Sequence, residues 1–175
     1  MDKKSWNIVK ALNFATEAHR GQERKHTGEE YITHPIAVAD LVEEFLDNEG
    51  ASEEDVQTAI MVALLHDTVE DTDITIDDIR NNFGDEVAKG VFYLTDPPVF
   101  VGNRKTRKAL TVARLTDAPR WVRIIKRFDI MHNEESLRIH DPKFHKVFVE
   151  EMTELLFHMS MGPLRTLEEY KNDGC

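Results

Sequence analysis

Two histidines and two aspartates in three separated segments have the chemistry of a metal site. His66 and Asp67 are neighbours within residues 63–71 (ALLHDTVED), His34 lies upstream, and Asp129 lies downstream within residues 124–133. Neutral imidazole and carboxylate are ligands that suit Mn, Fe, Co or Zn ions. Four such ligands leave coordination positions open, as catalytic metal sites require. The sequence therefore predicts one divalent cation at a site of hydrolytic chemistry.

Two further acids belong to the same segment. Glu70 follows His66 by four residues, and Asp71 follows Asp67 by four, so each pair lies on one side of a helix. Taken singly, such acids are more often a solvated helix end than a site. Charge placed where a core-facing helix should be apolar needs a partner or a metal, which favours a site. A metal beside spare acids typically activates water for hydrolysis, and Glu70 and Asp71 are the candidate general bases.

Composition limits the classes of function. The 175 residues carry a net charge of −11, which argues against nucleic-acid or anionic-membrane partners and is compatible with a small anionic substrate. We expect one domain over residues 1–175. No apolar run is long enough to span a bilayer, and the polar N-terminus does not resemble a signal peptide. One cysteine, Cys175, fits a reducing, cytoplasmic setting.

Helical periodicity dominates the chain and predicts an all-α bundle of about eight helices. Residues 20–33 carry two glycines and predict a loop. The basic residues cluster at 24–25, 104–108 and 120–127, and each of the later clusters alone is most simply a solvated helix face. The first predicted helix ends before residue 21. Seven more are predicted at about 34–47, 52–67, 75–84, 85–94, 103–117, 119–133 and from 141 onward.

Three blocks, 21–39 (GQERKHTGEEYITHPIAVA), 63–75 (ALLHDTVEDTDIT) and 124–133 (IIKRFDIMHN), resemble the signature blocks of the HD-domain phosphohydrolases. They are most similar to the hydrolase domain of the Rel/SpoT alarmone enzymes and to the small alarmone hydrolases. The resemblance covers roughly residues 5–140. It implies an all-helical fold, one bound Mn²⁺ or another divalent transition metal, and removal of the 3′-pyrophosphate of (p)ppGpp.

The resemblance also implies roles residue by residue. The metal ligands are His34, His66, Asp67 and Asp129, and the acidic pair is Glu70 and Asp71. Substrate contacts carried over from the family are Arg24, Lys25, Tyr31, Asn133 and Ser136. Phosphate charge is further neutralised by Arg104, Lys105 or Arg107, or these residues form an exposed helix start; the sequence leaves both open.

This chain departs from the family pattern at several positions. Glu30 replaces a common proline, Arg127-Phe128 replace Leu-Ala before the aspartate, and Ile130 replaces an arginine. Residues 96–118 do not match the alarmone enzymes, so another nucleotide or NADPH 2′-phosphate is an alternative substrate. A non-catalytic nucleotide-binding module is a third interpretation. Homo-oligomerisation is also left open, because helix 144–161 forms either core or a dimer seam.

Overall fold

The computed structural model describes residues 3–162 and 166–167, with side chains from Trp6 onward. Cys175 lies outside the described residues. Within residues 3–162 the fold is all-α, as predicted, with one isolated bridge between Glu23 and Glu30 in place of any sheet. The helices are α1 (Lys3–Ala18), α2 (Thr33–Asn48), α3 (Glu53–Leu65), α4 (Thr68–Asp71), α5 (Ile76–Phe83), α6 (Asp85–Leu94), α7 (Arg104–Thr116), α8 (Arg120–His140) and α9 (Pro142–His158), with a 3-10 turn at Val99–Val101.

Helix α3 is the centre of the molecule. It packs against α1, α2, α6 and α8, and its residues from Val62 to Leu65 are all buried. A helix that is apolar around most of its circumference belongs in a core. The end of this helix is followed at once by His66 and Asp67, so the central element of the core delivers two polar side chains to one fixed place.

Helices α2 and α8 flank α3 and complete the site. His34 is buried in the first turn of α2, and Asp129 is buried near the middle of α8. Phe128, which replaces a small residue of the family pattern, points into the core and meets the ring of Phe45 with centroids 5.7 Å apart. The added bulk is therefore absorbed between α2 and α8.

The loop between α1 and α2, residues 19–32, is compact and held by backbone hydrogen bonds. Gly28 has a φ of 71°, a left-handed conformation that favours glycine, and its amide donates to the carbonyl of Arg24. The amide of Arg24 in turn donates to the carbonyl of Glu29 at 2.8 Å. These bonds hold Arg24 and Lys25 at the tip of a compact turn.

Helices α7 and α9 close the remaining side. Leu155 of α9 and Met159, which follows the helix, are buried in the core of the chain, whereas Phe144 is partly exposed near the helix start. Among the described residues, no helix combines the length and the apolar character needed to cross a bilayer.

Candidate metal centre and substrate cavity

The four predicted ligands converge on one point. The Nε2 atom of His34 lies 3.2 Å from Asp129 Oδ1 and 3.6 Å from Asp67 Oδ2. His66 Nε2 lies 3.1 Å from Asp67 Oδ2 and 3.8 Å from Asp129 Oδ1. Single ligand atoms of His34, His66 and Asp67 all fall within 4.8 Å of one another. The structure thus brings together, within a few ångströms, residues that are up to 95 positions apart in the chain.

The Nδ1 atoms of the two imidazoles each contact a neighbouring group, which leaves the Nε2 atoms directed into the cluster. His66 Nδ1 lies 2.7 Å from the carbonyl oxygen of Ala63, so it carries the proton and donates. His34 Nδ1 lies 2.9 Å from His132 Nδ1. The Nε2 atoms of His34 and His66 are both buried and have no hydrogen-bond partner among the described residues. Two orphaned imidazole nitrogens aimed at two carboxylates fit a bound cation, because metal-ligating histidines are held by a bond from the other ring nitrogen.

Asp129 is held from both sides. Lys126 Nζ donates to its Oδ2 at 2.8 Å, and Asn133 Nδ2 donates to its Oδ1 at 2.7 Å. Burial disfavours the charge on Asp129, but Lys126 and the two imidazoles outweigh burial and hold its pKa well below the ordinary value. The interpretation of Lys126 as part of a solvated helix face is wrong: its ammonium is largely buried, and the neighbouring acids, Asp129 first, raise its pKa despite that burial.

The cluster attracts positive charge. Burial lowers the pKa of His34, as expected for an imidazole removed from water. Burial also acts to lower the pKa of His66, yet Asp67 and Asp129 raise it well above the ordinary value. Two ionised carboxylates beside one lysine therefore favour a further cation at the Nε2 atoms, either a proton or a metal ion.

The acidic pair lies beside the cluster. Glu70 Oε2 accepts the backbone N–H of Asp96 at 3.0 Å, and Tyr31 Oη donates to Asp67 Oδ2 at 2.7 Å. Partial burial raises the pKa of both Glu70 and Asp71, and the negative charge of Asp67 adds to the effect. Both carboxyl groups border an open depression on the α1 side of the site, next to Glu17 and Gln22 of the chain. A carboxylate with a raised pKa beside a metal site is suited to accept a proton.

A cavity of about 580 Å³ adjoins the cluster on the other side. Five residues predicted to contact substrate line it: Arg24, Lys25, Tyr31, Asn133 and Ser136. Arg24 Nη2 donates to Asn133 Oδ1 at 3.1 Å, which links the cavity through Asn133 to Asp129. Tyr31 has a second contact that the sequence did not indicate, its hydroxyl bond to Asp67.

The predicted cations of α7 have different positions. Arg104 lines the cavity and forms an ion pair with Glu151 of α9 at 2.7 Å. Lys105 is exposed and does not belong to the described residues that line the cavity. Thr111, one helical turn after Arg107, donates to Asp96 Oδ1 at 2.7 Å. Since Asp96 holds Glu70, α7 joins the cavity to the acidic pair.

Sequence reasoning missed two residues of the cluster, His132 and Lys126. Each lies three positions from Asp129 along α8, and residues at that spacing share a helix face. That spacing could have identified both. Burial and the neighbouring positive charge of His34 and Arg24 lower the pKa of His132 to about 4, so its ring is neutral at pH 7.

Comparisons with known proteins assign the family. The family model described as HD domain matches residues 11–96. The human guanosine-3′,5′-bis(diphosphate) 3′-pyrophosphohydrolase MESH1 is 34% identical over 138 residues, which cover 78% of this chain and 73% of the human protein. The chain belongs to the HD-domain family. The resemblance inferred from its three sequence blocks is thereby confirmed.

Two other comparisons place this HD domain among its relatives. A GTP pyrophosphokinase of Streptomyces coelicolor is 39% identical over 135 residues, but this chain spans only 15% of that protein's length. A solved structure, described as a metazoan ortholog of SpoT that hydrolyses ppGpp and plays a role in starvation responses, matches with a TM-score of 0.74 and 25% identity. That match covers 96% of both chains, so it extends beyond residues 11–96 into α7, α8 and α9.

Proposed function

We propose that this chain is a divalent-metal-dependent hydrolase that removes the 3′-pyrophosphate of (p)ppGpp and releases GDP or GTP. The observation that carries the proposal is the cluster of His34, His66, Asp67 and Asp129, with two orphaned imidazole nitrogens, beside a cavity lined by cations. The names of MESH1 and of the SpoT ortholog support the substrate.

The cluster residues are the proposed ligands of the metal, for which Mn²⁺ is our first choice among divalent transition ions. A metal ion bound there would supply Lewis acidity, polarising a phosphoryl oxygen and lowering the pKa of water. Lys126 and Asn133 orient Asp129, and the carbonyl of Ala63 orients His66. These contacts keep the ligand atoms in place before substrate arrives, which is how surrounding groups tune metal sites.

Proton transfer falls to the acidic pair. Glu70 or Asp71 accepts a proton from the attacking water, whose oxygen forms the new bond to phosphorus as the bond to the ribose 3′ oxygen breaks. The ribose oxygen takes up a proton and leaves as the 3′-hydroxyl. The raised pKa of each carboxyl makes it a better base than an exposed acid, and general base catalysis typically contributes about 10²–10⁴-fold. Glu70 is held in position by the backbone N–H of Asp96.

The cavity supplies recognition. Arg24 and Lys25 neutralise phosphate charge, and Tyr31, Asn133 and Ser136 contact the nucleoside. The cavity also has apolar lining, with side chains suited to cover a flat base. Its apolar lining residues are Val112, Leu137, Phe144, Phe148, Met152 and Leu155.

A second substrate class is favoured by one observation. Helix α7, which lies in the segment whose sequence we find unlike the alarmone-enzyme pattern, contributes Arg104, Arg107, Lys108 and Thr111 to the cavity wall. A cavity wall with different side chains could bind a different phosphoester, such as another nucleotide or NADPH with its 2′-phosphate, for hydrolysis by the same mechanism.

A substrate panel separates the two. Metal-stripped protein is reloaded with Mn²⁺, Co²⁺, Zn²⁺ or Mg²⁺ and assayed for pyrophosphate and phosphate release from ppGpp, pppGpp and NADPH. We expect pyrophosphate from ppGpp with the highest kcat/KM, and the fastest turnover with Mn²⁺. Faster phosphate release from NADPH would replace the alarmone by the second substrate class.

A further inference from the structure

The four cations at the start of α7 differ in whether they have partners. Arg104 pairs with Glu151 at 2.7 Å, and Lys108 pairs with Glu154 at 3.2 Å. Both ion pairs join α7 to α9, and in each the carboxylate neutralises the cation. Lys105 is exposed and lies outside the cavity lining. The positions of these three residues therefore require no bound ligand.

Arg107 is different. It lines the cavity and is half-buried, and its buried Nε has no hydrogen-bond partner among the described residues. A buried donor that has lost water without gaining an acceptor costs free energy. The neighbouring carboxylates Glu151 and Glu154 are engaged by Arg104 and Lys108. An anion that enters the cavity would supply the missing acceptor.

Arg107 is connected through hydrogen bonds to the residue that holds Glu70. Its backbone carbonyl accepts a hydrogen bond from the hydroxyl of Thr111, which also bonds Asp96, whose N–H holds Glu70. Arg107 thus lies one helical turn before Thr111, whose hydroxyl bonds Asp96, the residue that holds Glu70. Arg24 of the α1–α2 loop lines the same cavity, and its guanidinium donates to the neutral side chain of Asn133.

We propose that Arg107 is the phosphate-binding cation of α7, and that its guanidinium forms paired hydrogen bonds to phosphate oxygens of the substrate. A planar guanidinium donates two parallel bonds to such oxygens, which a lysine ammonium does not. With Arg24 it gives the cavity two guanidiniums that no described carboxylate pairs, which suits a substrate bearing more than one phosphate. The identity of that substrate rests on the proposed function.

Binding is measured by calorimetry in an Asp67→Ala background, so that ppGpp is not turned over. Because a hydrogen bond to a charged group is worth about 1.5–3 kcal/mol, Arg107→Gln should weaken ppGpp binding by about 10- to 100-fold. Arg107→Lys keeps the charge but loses the fork, and should recover only part of the affinity. Lys146→Gln, which removes the same charge from an exposed position on α9, is the matched control and should stay within about twofold.

Thermal unfolding of the same variants separates a binding role from a structural one. If Arg107 binds phosphate, Arg107→Gln leaves the melting temperature unchanged or higher, because the unpartnered donor is removed. A lowered melting temperature with unchanged affinity for ppGpp would overturn the inference. So would a Lys105→Gln variant that weakens binding as much as Arg107→Gln does.

The failure of the proposed function has a different signature. If wild-type protein loaded with Mn²⁺ does not hydrolyse ppGpp, the substrate is wrong, and inorganic pyrophosphate becomes the probe for Arg107. Weaker pyrophosphate binding by Arg107→Gln than by Lys146→Gln would then uphold the phosphate-binding role. Equal binding by these two variants would overturn it.

Discussion

Asp129 is the residue on which most contacts of the site converge. Lys126, Asn133 and His34 all approach its carboxylate, and Lys126 is a largely buried cation whose bonded partner is Asp129. Removing one charge of a buried pair leaves the other uncompensated, which costs about 3–5 kcal/mol. Asp129→Asn should therefore lose both metal binding and stability, by about 3 kcal/mol in denaturant unfolding.

Asp67→Ala provides the matched comparison. Asp67 keeps some solvent access and bonds to Tyr31, with no buried lysine depending on it. We expect loss of metal binding and activity with a destabilisation smaller than that of Asp129→Asn, measured by the same unfolding curves. Equal destabilisation of the two variants would contradict the role of the Lys126–Asp129 pair.

Asp71 offers a prediction on pH. Partial burial and the charge of Asp67 raise its pKa above that of an unfolded aspartic acid. Between the two pKa values the folded state binds more protons, so this residue's contribution to stability falls as pH rises. In metal-free protein, Asp71→Asn should be more stabilising, relative to wild type, at pH 7 than at pH 4. A difference that is the same at both pH values would show that the pKa of Asp71 is not raised.

At the residue scale, the metal-ligand residues were predictable from the sequence, whereas the contacts that other side chains make with distant residues were not. The types and order of His34, His66, Asp67 and Asp129 were sufficient to predict a cluster whose atoms the structure brings together. Lys126 was misinterpreted because a lysine on a basic helix segment looks solvated until its facing elements are known. Arg107 could not be separated from Arg104 by sequence, because Glu151, which neutralises Arg104, lies 47 residues further along the chain.

Among the elements, α6 shows how closely the bundle is packed. A Cβ atom added at Gly90 would lie 2.6 Å from the ring of Trp121 and 2.8 Å from Val62 Cγ2. Overpacking a tight interface costs about 1–3 kcal/mol, whereas the gain in helix propensity from glycine to alanine is about 1 kcal/mol. Gly90→Ala should therefore lower the free energy of unfolding.

The control for this prediction is the preceding residue. Lys89 is exposed on the same helix, so Lys89→Ala should change stability by less than about 0.5 kcal/mol. Chemical unfolding of both variants tests the point. If Gly90→Ala is more stable than wild type, then Trp121 moves freely and the packing argument fails.

Element positions were largely predictable because helical periodicity and helix-ending glycines mark them. The predicted helix at 85–94 matches α6 (Asp85–Leu94), and the eight predicted helices all have counterparts. The single-turn helix α4 (Thr68–Asp71) was not separated from α3, because four residues carry no periodicity. The break between them matters, since His66 and Asp67 lie at it and face His34 of α2 and Asp129 of α8.

For the whole molecule, a net charge of −11 coexists with a cavity lined by Arg24, Lys25, Arg107 and Lys126. The local positive charge decides which ligand enters, whereas the overall charge disfavours nucleic acid. This separation was anticipated from the clustering of basic residues. Their convergence on one cavity depends on the packing of α7, α8 and the α1–α2 loop, which sequence periodicity does not specify.

Metal binding should also stabilise the whole fold, because His34, His66 and Asp129 join α2, α3 and α8. A ligand that binds the native state alone stabilises it by about 2.7 kcal/mol at a concentration 100 times its Kd. Adding Mn²⁺ to stripped protein should raise the melting temperature, with the logarithm of the Mn²⁺ concentration once that concentration exceeds Kd, and Asp67→Ala should not respond. An equal response of both proteins would place the ion elsewhere.

Metal-dependent hydrolysis of ppGpp is tested most directly by assaying metal-stripped protein for pyrophosphate release, with and without Mn²⁺, beside Asp67→Ala. We expect release that requires Mn²⁺ and is abolished in the variant. Release that persists without metal, or that survives in Asp67→Ala, would contradict the metal centre. No release by folded, Mn²⁺-loaded wild-type protein would contradict the alarmone as substrate.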